Sequence, residues 1–428
     1  MFFSRGSNVK GAWLVDKICL LTNCNVFDAN SKCCKLRNIT LKDGLIIPEV
    51  QIDHADVIMD CTGMYLAPGY IDWQVNGAFG VDFSNDDMGI SLTDGAIAVA
   101  NQIVDYGVTS FCPTIVTCPI DVYSRNIPKF RTMPGGPSGG ANILPLHLEG
   151  PMLSEAKAGA HRKQYLQAPS AVLGDVYGLD AAYFADNRTI GVVTMAAELE
   201  GACDAARSLR ANGIAVSLGH SDCSVEIAED FIAAGASAVT HLFNAQSFLS
   251  NRNPGVVGLL GSESANCDDN FDDETVPNRN GIIAIGIIAD GVHVHKNALK
   301  MAHRCAGRKV SLVTDSIALA GLPDGDHFVA SQHISMREGR AVVASSGVLV
   351  GSVAFMDHCV RTLHGAIGVS IGEAAACGSE AASKLLGLFP KKGSLNEGSD
   401  ADIIILDDNG YVLVTIVGGC VVFCSSKW

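Results

Sequence analysis

The sequence predicts an α/β protein, a TIM-like (β/α)₈ barrel carrying a small β-sandwich domain built from both termini. Three features point there: alternating strand and helix signals through the middle, eight apolar runs that each end in polar residues, and β-rich segments at either end. The 428 residues exceed one small domain and suit a barrel of roughly 250–300 residues plus an accessory unit. On this reading residues 1–65 and 386–428 form the small domain and residues 66–385 the barrel.

Residues 12–65 alternate short β-like runs (Ile18-Cys19-Leu20-Leu21, Leu45-Ile46-Ile47) with turn residues and show no helical period. The tail resembles them, with Ile403-Ile404-Ile405-Leu406, then Tyr411 to Val417 and Val421-Val422-Phe423, and Asn409-Gly410 is a hairpin signal. Between the two ends, apolar runs close near Gln74, Thr114, Glu149, Glu198, His220, His241, His293 and Asp315. Helical patterns separate most of them. Ser224 to Ala234 is one: Ser224 can cap it, Gly235 follows it, and Val225, Ile227, Phe231 and Ile232 roughly keep the period. An open doubly wound sheet is the alternative, but no Gly-x-Gly-x-x-Gly follows the first strand. Gly261 to Asn280, acidic and containing Pro277, reads as a surface insertion between the sixth and seventh units, with no chemistry assigned.

Hydrophobic residues make up 48% and charged residues 18%, as a sheet buried on both faces needs. A net charge of −15 argues against nucleic acid or an anionic membrane as partner, and an anionic substrate would need a local cationic pocket. Mean hydropathy is +0.25. The most apolar stretches, Ala341 to Met356 and Tyr411 to Cys424, are interrupted by glycines and fall short of the ~20 residues of a membrane span. The start, Met1-Phe2-Phe3-Ser4-Arg5, lacks the order of a signal peptide. Fifteen cysteines with no Cys-x-x-Cys pair read as buried free thiols in a reducing compartment. A soluble cytosolic (cytoplasmic) protein is expected.

Polar residues at the C-terminal ends of barrel strands converge on one face. Glu149, His220 and His241 would offer one carboxylate and two imidazoles to a divalent metal, with an open position for water. Asp315 would stand beside that water as general base. One histidine at a strand end usually packs; two closing consecutive units, with carboxylates closing others, indicate a site. His54, His303, His327, His333, His358 and His364 lack such context, and His147 is given a supporting role at best.

These residues resemble those of the N-acetylglucosamine-6-phosphate deacetylase family of the amidohydrolase superfamily, most closely its animal-type members. The resemblance runs from about Leu66 to the C-terminal hairpin. Its markers are Pro68-Gly69-Tyr70-Ile71-Asp72-x-Gln74-x-Asn76-Gly77, Gly107-Val108-Thr109-Ser110 with Pro113-Thr114, His147-Leu148-Glu149-Gly150-Pro151 and Gly159-Ala160-His161. They continue through Leu218-Gly219-His220-Ser221, Thr240-His241-Leu242-Phe243-Asn244-Ala245, Arg252-x-Pro254-Gly255, Ile288-Ala289-Asp290-Gly291-x-His293 and Val313-Thr314-Asp315.

The resemblance implies an amidohydrolase-type barrel that hydrolyses the acetamide of N-acetylglucosamine 6-phosphate to glucosamine 6-phosphate and acetate. It implies Glu149, His220 and His241 as metal ligands, Asp315 as the catalytic aspartate, and His293 as the group that polarises the acetyl carbonyl. It further implies Asn244, Ala245 and Arg252 as sugar-phosphate contacts, with Arg252 reaching into the neighbouring subunit of a homodimer. Ala160, Asp290-Gly291-Val292-His293 and Leu349-Val350-Gly351 match substrate-lining segments. Where many amidohydrolases carry His-x-His and two metals, this chain has the amides Gln74 and Asn76, so one metal per site, zinc foremost, is expected. Departures from the family pattern are Ala196-Ala197-Glu198, the backbone-only contacts left to Leu349-Val350-Gly351, and the acidic insertion. The same chemistry on another N-acyl amino-sugar phosphate, such as the galactosamine epimer, and a non-catalytic barrel are the alternatives.

Overall fold

The computed structural model describes residues 2–3, 16–29, 31–84, 89–136, 139–180, 183–184, 189–262, 281–329 and 332–428. Eight parallel strands follow one another around a barrel in chain order: Tyr70–Val75, Val108–Val116, Leu146–Glu149, Ile190–Met195, Ala215–Leu218, Ala238–Val239, Ala284–Ile288 and Val310–Val313. The first and last meet through a parallel bridge, Val75 to Ser316, where the Asp315 N–H donates to Gln74 O at 2.9 Å and the Asn76 N–H to Ser316 O at 2.8 Å. The third strand extends a short piece, Asn142–Ile143, along the same edge of the second. It breaks at Pro145, which has no N–H to give.

Among the described residues, helices follow seven of the eight strands, and a 3₁₀ stretch over Gly255–Gly261 follows the sixth. The helix expected from Ser224 runs Val225–Ala233, and the Ser224 hydroxyl accepts the Ile227 N–H. It buries Ala228, Phe231 and Ile232 but leaves Ile227 exposed, so its apolar stripe is narrower than the pattern suggested. Two expected strand endings lie further out. Glu198 and His293 stand on loops beyond Met195 and Ile288, because their apolar runs stop before the polar residues arrive. The acidic insertion, from residue 263 onward, falls outside the described residues.

The chain ends pair where Ile403–Leu406 runs antiparallel to Tyr65–Pro68. Hydrogen bonding joins the terminal strands into one nine-stranded sheet, because the ten-residue strand Cys19–Asp28 has room for three neighbours. Ile403 and Ile405 face that sheet's own core with Leu21, Met59 and Trp428, whereas Ile404 and Leu406 join the barrel core. Burial of both faces explains the unbroken apolar run.

The other apolar stretches also find their places. Val412–Val417 and Cys420–Cys424 form a hairpin that turns at Gly418-Gly419, where φ is +54° and +76°, as a tight two-residue turn requires. Ala341 belongs to the last strand of a three-stranded antiparallel sheet, Gly325–Val329, Gln332–Arg337 and Arg340–Val343, inserted after the eighth barrel strand. No helix among the described residues is long and apolar enough to cross a membrane. No disulfide joins the described cysteines, and most of them are buried.

Candidate active site

A cavity of about 560 Å³ opens at the C-terminal ends of the strands, bounded on one side by Val329, Ile334 and Val348 to Val350 of the inserted sheet and the turn after it. Deeper in the barrel, below the strand ends, lies a buried polar layer. His147 Nε2 lies 2.7 Å from Thr194 Oγ1, which lies 2.7 Å from Thr240 Oγ1, which in turn meets Ser217 Oγ at 2.6 Å. Burial lowers the His147 pKa to about 4 and keeps the ring neutral, so this histidine supports the site from below.

Glu149, His220 and His241 come together above that layer, all buried. His220 Nε2 and His241 Nε2 stand 3.1 and 2.9 Å from one oxygen, Glu149 Oε1, and 3.1 Å from each other. His220 (φ +48°), His241 (φ +30°) and Asp315 (φ +50°) all adopt left-handed backbone just past their strands. That conformation is uncommon for side-chain-bearing residues and is retained where function fixes it. Burial pushes the Glu149 carboxyl up, but hydrogen bonds and charge from His220 and His241 outweigh it and hold the group well below the usual range.

The donor set fits a divalent cation. His220 Nδ1 is 2.8 Å from the Lys157 carbonyl oxygen, which can only accept, so Nδ1 carries a proton and Nε2 is the ring nitrogen turned toward Glu149. Two imidazole nitrogens and a carboxylate oxygen converging in a buried site are the donor set a divalent cation takes. The trio can therefore hold a metal.

Asp315 stands next to this trio. Burial and the Glu149 charge raise its pKa to about 6, against the pull of His241 and His293. Asn76 Nδ2 donates to Asp315 Oδ1 at 2.7 Å, while Gln74 Nε2 donates to Asp315 Oδ1 at 3.1 Å and to Glu149 Oε1 at 3.0 Å. Across the cavity, Asp290 holds His293. Its Oδ2 is 2.7 Å from Nδ1, and its Oδ1 accepts the backbone N–H groups of Val292 and His293 at 2.8 Å each. Burial raises Asp290, but the bond from His293 outweighs it and the carboxyl stays low. With Nδ1 anchored, Nε2 is the ring nitrogen left for the cavity that His293 lines. His358 supports this loop through a 3.2 Å contact to the Asp290 carbonyl.

Of the other expected residues, Ala160, Asn244, Ala245, Leu349, Val350 and Gly351 line the cavity. Asp290, Gly291 and Val292 do not; they shape the loop that presents His293. Arg252 is exposed and lines no part of the cavity of its own chain, whereas Arg125 and Arg162, unmarked in the sequence, do. His161 was also missed as a site residue. Its Nδ1 sits 2.8 Å from Thr117 Oγ1 and accepts the Thr117 N–H, its ring packs edge-on to His220 with centroids 4.5 Å apart, and burial lowers its pKa to about 3. The Gly159-Ala160-His161 motif was the available signal, but only folding brings Thr117 and His220 beside it.

A parallel barrel with a buried Glu-His-His trio at its strand ends and a carboxylate beside it defines a hydrolase of the amidohydrolase type. Residues 65–422 match the amidohydrolase family, and the chain belongs to it. It is 41% identical over 372 residues to N-acetylglucosamine-6-phosphate deacetylase of Bos taurus, covering 85% of each chain. It is 34% identical over 429 residues to that of Caenorhabditis elegans, covering 97% of this chain and 95% of the relative. Among solved structures it is similar to a mutant N-acetyl-D-glucosamine-6-phosphate deacetylase of Mycobacterium smegmatis in complex with N-acetyl-D-glucosamine-6-phosphate. There the TM-score is 0.77 and the identity 25%, covering 95% of this chain and 99% of that one.

Proposed function

We propose that this protein hydrolyses the acetamide of N-acetyl-D-glucosamine 6-phosphate to D-glucosamine 6-phosphate and acetate, a step of amino-sugar catabolism. One observation carries the reading: Glu149, His220, His241, Asp315 and the Asp290-held His293 meet around a single cavity, in a chain whose deacetylase relatives it matches over most of their length. Glu149, His220 and His241 would hold one divalent ion, zinc in our reading, whose charge activates water and polarises the amide carbonyl.

Asp315 takes the proton from the attacking water and returns it to the departing amine nitrogen. His293 donates from Nε2 to the carbonyl oxygen as it becomes an oxyanion, a contact worth about 3–4 kcal/mol in comparable sites. The Asp290 carboxylate, bonded at Nδ1, fixes the ring for that contact. His161, bonded through Nδ1, presents Nε2–H as a fixed neutral donor on the wall.

Asn244 and Ala245 bind the sugar phosphate, joined by Arg252 from the neighbouring subunit of a homodimer. The exposure of Arg252 outside its own cavity supports that role. Arg125 and Arg162 add positive charge on an otherwise acidic protein. Ala160 and Leu349-Val350-Gly351 line the sugar. The buried thiols, joined by no disulfide, suit a reducing compartment, and we place the enzyme in the cytosol.

Steady-state comparison of N-acetylglucosamine 6-phosphate, its galactosamine epimer and unphosphorylated N-acetylglucosamine tests the assignment. The glucosamine phosphate is expected to have the highest kcat/KM, with at least a tenfold loss, about 1.4 kcal/mol, on removal of the phosphate. Equal values for all three would refute a phosphosugar specificity, and preference for the epimer would transfer the function to it.

A further inference from the structure

We propose that Gln74 and Asn76 form an amide clamp that leaves Asp315 Oδ2 as the one oxygen carrying the proton, with Gln74 alone also coupling this base to the ligand carboxylate Glu149. The inference rests on the roles proposed above for Asp315 and Glu149. It assigns to the two amides a positioning function that goes beyond the failure of amides to bind a second metal.

The orientation of both amides follows from what they face. A carboxylate oxygen only accepts, so each amide must turn its NH₂ group toward it. The Gln74 NH₂ sits between Glu149 Oε1 and Asp315 Oδ1, at 3.0 and 3.1 Å, and the Asn76 NH₂ is 2.7 Å from Asp315 Oδ1. In this orientation Gln74 Oε1 and Asn76 Oδ1 point away from the carboxylates, and neither has a hydrogen-bond partner among the described residues.

Asp315 Oδ1 thus receives two N–H donors and becomes the less basic oxygen. Oδ2 lies toward Gly351, a cavity-lining residue at which a Cβ would come within 3.7 Å of it. The barrel closure fixes the clamp, since the Asp315 N–H donates to Gln74 O and the Asn76 N–H to Ser316 O. Asp72 strengthens the seam by accepting the Thr314 hydroxyl at 2.6 Å.

The two residues have distinguishable effects, because Asn76 touches only the base and Gln74 touches base and ligand. The test loads wild type, Asn76→Ala and Gln74→Ala with zinc and measures metal retention against a chelator, together with kcat, KM and the solvent isotope effect on kcat. For Asn76→Ala, kcat is expected to fall about 100-fold, with KM unchanged, metal retention as in wild type and a larger isotope effect. A merely structural lesion would reduce the active fraction and leave the isotope effect where it was. For Gln74→Ala, kcat falls and metal affinity also drops by about 10–100-fold.

Equal metal retention in the two variants, wild-type kcat in Asn76→Ala, or an unchanged isotope effect there would overturn the clamp. Should either alanine variant fail to fold by circular dichroism, Asn76→Leu and Gln74→Met keep the volume without the N–H, and the same contrast applies. If wild type releases no acetate from the sugar phosphate, the functional reading fails by itself. The metal-retention contrast then still decides whether Gln74 couples to Glu149.

Discussion

Replacing Asp315 with asparagine is expected to lower kcat for acetate release by about 10²–10⁴-fold, the span measured for general acid–base groups, toward its upper end because the proposed mechanism gives one carboxylate both proton transfers. The change keeps the shape of the side chain and removes only its basicity. KM should change little, since the loss falls on the transition state. The pH profile carries the same information. The carboxylate must be ionised to accept a proton, so the wild-type rate falls as pH drops through its pKa. Burial and the Glu149 charge raise that value to about 6, and a cation in the Glu149-His220-His241 site would pull it down again. The acid limb therefore lies at or below about pH 6, and it disappears in Asp315→Asn. Near-normal turnover in this variant, or an acid limb that survives the substitution, would remove Asp315 from its assigned role.

Replacing Glu149 with glutamine should have an effect of similar size by a different route. An amide is a poor ligand for first-row divalent ions, and His220 and His241 would face a neutral group where they now share one carboxylate oxygen. Changing a second-shell partner typically costs 10–100-fold in metal affinity; loss of a direct ligand should exceed about 100-fold. Acetate release falls to background although Asp315 is intact. Metal analysis of the purified variant beside its activity is the check. Wild-type metal content with no activity would assign Glu149 a role in the chemistry instead, and wild-type levels of both would place the metal elsewhere.

Much of the site was legible before folding because strand ends are local. Glu149, His220, His241 and Asp315 each close an apolar run, and barrel geometry does the rest. His293 was legible as a motif but not as a strand end, since it lies on a loop and depends on Asp290, three residues earlier, to be held. The roles of His161, Gln74 and Asn76 depend on contacts between barrel units distant in the chain. Thr117 is 44 positions before His161, and Asp315 is 241 and 239 beyond Gln74 and Asn76. No periodicity encodes such contacts. The inserted three-stranded sheet was hidden for another reason: its last strand, Arg340–Val343, merges with the following apolar residues into one run that reads as a single segment. The 3₁₀ stretch after the sixth strand lies in a segment rich in Gly and Val, Gly255-Val256-Val257-Gly258, with weak helix propensity.

The most direct test titrates metal-free protein with zinc while following acetate release from N-acetylglucosamine 6-phosphate. The expected result is no turnover without metal and a linear rise that breaks at one equivalent per subunit, since Gln74 and Asn76 stand where a second ion's ligands would have to be. Full activity in the stripped protein, a break at two equivalents, or no acetate at any loading would contradict a single-metal deacetylase.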